Sequence, residues 1–253
     1  MILDDFKLTS KVALVTGART GIGQALAAGL AEAGADIVAV GRNDMRQTRA
    51  LVEACGRRFL PLKADLSSTA PIPEIVAQTL EAFGRLDILV NNAGVLRRAP
   101  ALEYSEKDWD EVVDTNLKTV FFLCQAAGRQ FIKQGGGGKI INIASLLSFQ
   151  GGILVPAYTA SKSGVAGLTR LLACEWAKQG INVNAIAPGY IETDITAPLR
   201  DDPVRGRAIL ERIPAGRWGK PDDLKGLAVF LASKASDYVN GYVYAIDGGW
   251  LAR

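Results

Sequence analysis

Short, nearly uninterrupted apolar runs alternate along the chain with longer stretches whose apolar residues recur at helical spacing. Residues 11–16 (KVALVT), 35–40 (ADIVAV), 58–64 (RFLPLKA), 85–91 (RLDILVN), 138–144 (GKIINIA), 181–187 (INVNAIA) and 241–247 (GYVYAID) read as seven strands. Most are too continuously apolar for a sheet with one wetted face, so they predict a sheet covered on both sides. Between them, residues 22–33, 44–55, 73–83, 105–134, 157–179 and 221–232 predict helices. The alternation predicts an α/β fold: one doubly wound domain over residues 1–253, with a seven-stranded parallel sheet and helices on both faces. The segment from Pro188 to about Gly219 breaks the rhythm, with prolines at 188, 198, 203 and 214 and no clean period. It predicts a long irregular insertion. Leaving the C-terminal end of a strand, where open α/β sheets bind ligands, it reads as a lid; the alternative is a tolerated surface loop.

Composition narrows the chemistry. Hydrophobic residues make up 49% and charged ones 22%, enough for a large core. The formal net charge of +3 is too mild to argue for a nucleic-acid partner. Cys55, Cys124 and Cys174 are odd in number and far apart, which fits a reducing cytoplasm better than a disulfide framework. Histidine is absent, which removes Ser-His-Asp and Cys-His catalysis and most zinc sites, so no metal is expected. Acid–base chemistry falls to Tyr, Lys, Asp, Glu or Cys. Asp4 and Asp5 stand where a signal peptide would carry Lys or Arg. The uncharged run from Ile140 to Ser161 contains Asn142, Ser145, Gln150 and Pro156, a poor membrane helix and a better strand followed by a polar loop.

Two constellations carry chemistry. The first strand ends in Thr16-Gly17-Ala18-Arg19-Thr20-Gly21-Ile22-Gly23 and enters a helix. Its glycines permit a tight turn and close approach of backbone amides to a pyrophosphate, whose charge a helix N-terminus favours. Taken alone, three glycines serve a plain turn equally well. Asp65, after the third strand, is placed to accept a hydrogen bond from adenine, and Asn91-Asn92-Ala93-Gly94 ends the fourth strand at the same edge. In the second constellation, Tyr158 and Lys162 lie four apart and share a helix face, with Ser145 after the fifth strand. An ammonium beside a phenol lowers its pKa from about 10, which offers an acid–base group to a protein without histidine.

TGxxxGIG, NNAG, Asn116, Ser145, YxxxK and Pro188-Gly189, in this order, resemble the short-chain dehydrogenase/reductase family over the whole chain. The resemblance implies a Rossmann-type fold, a nicotinamide cofactor, NAD(H) or NADP(H), and commonly a homotetramer. It implies Tyr158 as acid/base, with Lys162 lowering its pKa and holding the nicotinamide ribose. Ser145 would polarise the carbonyl and Asn116 would support a water-linked proton relay. The implied cofactor set is Gly17, Arg19, Gly21, Ile22, Gly23, Arg42, Asp65, Leu66, Asn91, Ala93, Gly94, Tyr158, Lys162, Pro188, Gly189, Ile191 and Thr193. Further segments, among them NNAGVLRR, SFQGGILVPAYTASKSGV and RIPAGRWG, resemble members acting on hexonate-type keto or hydroxy acids from pectin and hexuronate breakdown.

Other substrates within the family, gluconate or 3-oxoacyl thioesters, stay open, as does a nicotinamide sensor without turnover. For an acidic sugar, Arg97 and Arg98 offer guanidinium pairing with a carboxylate, while Gln150 and Trp218 offer a hydrogen bond and an apolar wall. Both arginines read equally as solvated surface charges. Cofactor choice is open too. The second strand ends in Gly41-Arg42 rather than in the acidic residue that binds a ribose 2′-hydroxyl, which favours a 2′-phosphate. Against that, the resemblance to the hexonate-type members implies NAD(H), and an arginine there can stack on adenine without reading a phosphate, so neither cofactor is preferred.

Overall fold

The seven apolar runs become β1 (Val12–Thr16), β2 (Asp36–Gly41), β3 (Phe59–Lys63), β4 (Ile88–Asn91), β5 (Gly138–Ile143), β6 (Ile181–Pro188) and β7 (Val243–Ile246). In the computed structural model, which describes residues 1–253, they form one sheet in the order β3-β2-β1-β4-β5-β6-β7, every neighbouring pair parallel. After β3 the chain crosses back to place β4 beside β1. That reversal opens a crevice at the C-terminal ends of β1 and β4.

Strand alternation divides the core. Val12 and Leu14 point to one face with Phe131, Val165 and Leu172, while Ala13 and Val15 point to the other with Leu26, Leu30 and Leu231. Each of these buried side chains larger than alanine contributes about 1.5–3 kcal/mol. Helices α1 (Gly21–Glu32), α2 (Arg46–Ala54) and α3 (Ile72–Phe83) follow the first three strands. The inner face of α1 is mostly small, with Ala25, Ala27, Ala28, Gly29 and Ala31 buried, so its backbone lies close to the sheet.

Two expectations change. The long helix expected over 105–134 is α4 (Glu106–Val113) and α5 (Thr119–Gln134), joined by a wider π turn at Asp114–Lys118. Apolar periodicity runs through such a turn and does not reveal it. The insertion after β6 is not irregular. It carries α7 (Ala197–Arg200) and α8 (Pro203–Arg212). Asp202 caps α8 by accepting bonds from the Val204 and Arg205 amides, both at 2.9 Å, and Pro203 suits its first turn. Only Gly206 and Ile209 of α8 are buried, so its periodic signal was too thin to read. The base of the insertion is drawn together where Ile191 bridges Gly219, with bonds of 2.8 and 2.9 Å. The remaining helices are α6 (Pro156–Trp176) and α9 (Lys225–Ala232). No helix is long and apolar enough to cross a membrane.

Candidate active site

At the crevice, Gly17 and Gly21 adopt φ of +65° and +57°, which L side chains avoid. A Cβ on Gly23 would stand 2.3 Å from the Gly17 carbonyl oxygen, so only glycine lets α1 start so close to the loop. The loop is pinned from β4. The Asn92 amide donates to the Thr16 and Gly17 carbonyls at 2.9 and 3.2 Å, and the Thr16 hydroxyl accepts from the Asn92 and Ala93 backbone amides, each at 3.0 Å. Thr193, from the start of the insertion, would lie 3.3 Å from a Gly21 Cβ and walls the other side. Beyond the loop lies a wholly polar cavity of about 550 Å³, lined by Arg19, Thr20, Asn43, Asp44, Arg46 and Gln47. A positive-φ glycine turn against a helix N-terminus, opening onto a polar cavity, fits a dinucleotide phosphate and its adenosine end.

The other expected cofactor residues are distributed around this cradle. Arg19 and Arg42 are exposed; Arg42 pulls the Asp65 carboxyl down, though less than the Ser67 amide bonded to that carboxyl at 2.9 Å. Leu66 is buried and Ile22 packs against the core. Gly94 abuts Asn116, and Gly189, following Pro188, lies so near Asp247 that a Cβ would come within 2.6 Å of its Cα. Ile191 is buried in the core at the neck of the insertion. Asn91 is a correction. Its side chain turns into the core, donating to Asn142 Oδ1 at 2.9 Å and Cys124 Sγ at 3.2 Å, because its place in β4 faces the sheet's neighbours rather than the crevice. Asn92, its neighbour, does the cradle's work; the doubled asparagine was the available signal.

One strand further along, Ser145, Tyr158 and Lys162 meet. Ser145 follows β5, its hydroxyl accepting from the Leu147 amide at 3.2 Å and lying beside the Tyr158 phenol. Pro156 starts α6, so Tyr158 sits in its first turn and Lys162 one turn on, nearly fully buried. The Lys162 ammonium donates to the Ile143 carbonyl at 2.6 Å and lies 5.6 Å from the centre of the Tyr158 ring. Burial pushes that ammonium down to about 8. For Tyr158 the net direction reverses the expectation. Burial raises the phenol, and the opposing pulls come from Ser145 and then Arg98 rather than from Lys162.

Asn116 occupies the π turn, fully buried. Its carboxamide accepts from the Val95 amide and donates to the Val95 carbonyl, both at 2.8 Å. A side chain so engaged positions the segment that follows NNAG.

The residues expected at the substrate end separate. Arg97 is not available: Glu111 grips it through two bonds of 3.0 and 2.5 Å, with Asp108 3.9 Å away. Arg98 has no carboxylate partner and faces the cleft, where it feels the Tyr158 and Tyr190 phenols. Which of the two arginines meets Glu111 is decided by where α4 packs. Gln150 accepts from the Trp250 indole at 3.2 Å. Trp218 is also corrected: it is buried behind Tyr190, ring centres 5.5 Å apart, so Tyr190 rather than Trp218 presents the aromatic wall. Tyr190 belongs to no motif, and nothing in the linear sequence marks it as part of the cleft wall.

A phosphate cradle one strand away from a buried lysine and a serine-flanked phenol is the arrangement of a nucleotide-dependent oxidoreductase. A family model described as enoyl-(acyl carrier protein) reductase matches residues 17–251, and the chain belongs to the short-chain dehydrogenase/reductase family. It is 63% identical over 253 residues to the 2-dehydro-3-deoxy-D-gluconate 5-dehydrogenase of Dickeya dadantii and 62% identical to that of Escherichia coli, with all of each chain covered. Among solved structures, a gluconate 5-dehydrogenase from Burkholderia cenocepacia in complex with NADP and tartrate superimposes with a TM-score of 0.95 at 40% identity, covering both chains fully.

Proposed function

We propose that the protein is a nicotinamide-dependent dehydrogenase interconverting 2-dehydro-3-deoxy-D-gluconate and 3-deoxy-D-glycero-2,5-hexodiulosonate. The observation that carries this is the Ser145–Tyr158–Lys162 set at the crevice, with the unpaired cation of Arg98 beside it. Full-length relatives above 60% identity bear that substrate's name. Gly17, Gly21, Gly23, Ala93, Gly94 and Thr193 would hold the cofactor. When bound, the nicotinamide supplies or accepts the hydride at the carbinol carbon. Ser145 donates to the substrate oxygen, and Tyr158 exchanges the proton at that same oxygen. A raised phenol pKa keeps Tyr158 protonated near neutrality, ready to donate to a ketone, whereas oxidation of the alcohol needs alkaline pH to empty it. Lys162 is anchored to the Ile143 carbonyl, and its remaining ammonium protons would hold the nicotinamide ribose.

Arg19 and Arg42 have no carboxylate partner, and no acidic residue ends β2, which supports NADP(H) over NAD(H). A homotetramer is supported by Trp109, Phe122 and Leu171, exposed by 41%, 38% and 47% on α4, α5 and α6. Three free cysteines fit a cytoplasmic setting. The test follows nicotinamide absorbance with both cofactors against the hexodiulosonate, gluconate and an acetoacetyl thioester. Turnover is expected on the sugar acid, lost in Tyr158→Phe with nucleotide affinity within about threefold of wild type. Preference for the thioester, or activity retained in Tyr158→Phe, would overturn the assignment.

A further inference from the structure

The arginines around the mouth of the cleft are nearly all committed. Arg97 is held by Glu111, Arg217 by Asp223 at 2.7 and 2.9 Å, and Arg207 by Glu211 at 2.8 Å. Arg200 lies 3.9 Å from both Glu192 and Asp201, and Arg212 stacks 3.9 Å from the centre of the Trp250 ring. Arg98 and Arg205 are the exceptions: neither is in a salt bridge or stacked on a ring, and the nearest opposite charge to Arg205 is Asp202, whose carboxylate is already bonded to the Val204 and Arg205 amides.

Their positions are set by separate elements. The Ala99 amide donates to the Leu154 carbonyl at 3.0 Å, fixing the segment that carries Arg98 against the loop leading into Tyr158. Arg205 lies four residues before Ile209 on α8, hence on the same helix face. Ile209 packs with Ile213, Trp218 and Trp250, and Tyr190 lies against both tryptophans, 5.5 and 4.7 Å between ring centres. Arg205 therefore stands on the α8 face that meets the Tyr190 wall, one turn nearer the start of the helix than the packed Ile209. The Arg98 guanidinium is weakened first by burial and then by the Arg205 charge, so the two cations sense one another across the opening. Like charges on opposing walls, neither of them in a salt bridge, make a receptor for an anion between them.

We propose that Arg205 is a specificity-determining residue, which with Arg98 straddles the substrate carboxylate from the lid side of the cleft. The inference rests on the sugar-acid reading above and extends it to a residue outside the family motifs. One cation stands on the floor and one on the segment after β6, so a carboxylate joins the two walls at the mouth of the cleft while the far end of the sugar chain reaches Tyr158. An uncharged ketone gains nothing from either.

Kinetics on the intact enzyme test this with a sugar keto acid and its uncharged amide. Arg205→Ala is expected to raise KM for the acid by about tenfold or more, with kcat changed less than threefold and KM for the amide unmoved. Arg205→Lys is expected to recover part of the loss, and Arg97→Gln to leave the acid-to-amide ratio unchanged. Equal losses on both substrates, or none, would overturn the clamp. A second measurement is independent of turnover: tartrate is expected to raise the melting temperature of the wild type but not of Arg205→Ala folded at the same temperature. Equal protection of both, or of neither, refutes the clamp. Should the wild type turn over no sugar acid, the substrate assignment falls and the tartrate shift alone decides on Arg205.

Discussion

Lys162 places a charge where burial opposes it, and its removal is expected to strengthen the apo protein while abolishing its activity. Burial lowers its pKa from 10.5 to about 8. At about 1.36 kcal/mol per unit, the folded state bears roughly 3 kcal/mol for keeping the ammonium charged at pH 7. In Lys162→Met a side chain of similar length occupies the same channel. The variant forfeits the 2.6 Å bond to the Ile143 carbonyl, about 1.5–2 kcal/mol, which leaves it roughly 1–1.5 kcal/mol more stable than wild type at pH 7.

The sign changes with pH. Because the folded pKa lies below the unfolded one, the unfolded chain holds more protons between about pH 8 and 10.5, and wild-type stability rises through that window. By pH 10 about 2.5 kcal/mol of the burial penalty has been relieved. The order of the two proteins is then expected to reverse, the variant becoming less stable by about 1 kcal/mol. Urea unfolding of both apo proteins at pH 7 and pH 10, at one protein concentration, measures the crossover. A stability difference that does not change between the two pH values would refute the claim that Lys162 is buried as a cation.

Two further outcomes test the nucleotide cradle. Gly23→Ala would drive a Cβ to 2.3 Å from the Gly17 carbonyl oxygen and 2.4 Å from Asn92 Nδ2; a loss of about 1–3 kcal/mol in stability and a collapse of nucleotide binding by calorimetry are expected, and unchanged affinity would show that the loop has another use. Arg42→Ala is expected to weaken NADP(H) by about tenfold and NAD(H) little in fluorescence titration, equal weakening showing that Arg42 reads no phosphate.

Seven strands were legible because a sheet covered on both faces needs uninterrupted apolar runs, and these recur between helical stretches along the whole chain. The glycine turn, the doubled asparagine and the Tyr158–Lys162 spacing were legible because each is local: a backbone conformation, a strand end and one turn of helix. What stayed hidden depends on contacts between distant segments. Asn91 and Asn92 differ only in which side of β4 they face. Arg97 and Arg98 are chemically identical, and only α4, with Glu111 on it, turns one into a structural ion pair and leaves the other free. The burial of Tyr158 stayed hidden for the same reason, since spacing supplies the nearby ammonium but says nothing of how much water the phenol loses.

The linear chain thus determined the architecture, the glycine turn at the crevice and the Tyr158–Lys162 spacing, all of which follow from periodicity and short-range geometry. Only the folded arrangement decided which cation is free, which aromatic ring faces the cleft and that the segment after β6 brings Arg205 to the opening. Charge pairing and desolvation depend on distances in space, and residues far apart in sequence come within those distances only after the sheet has formed.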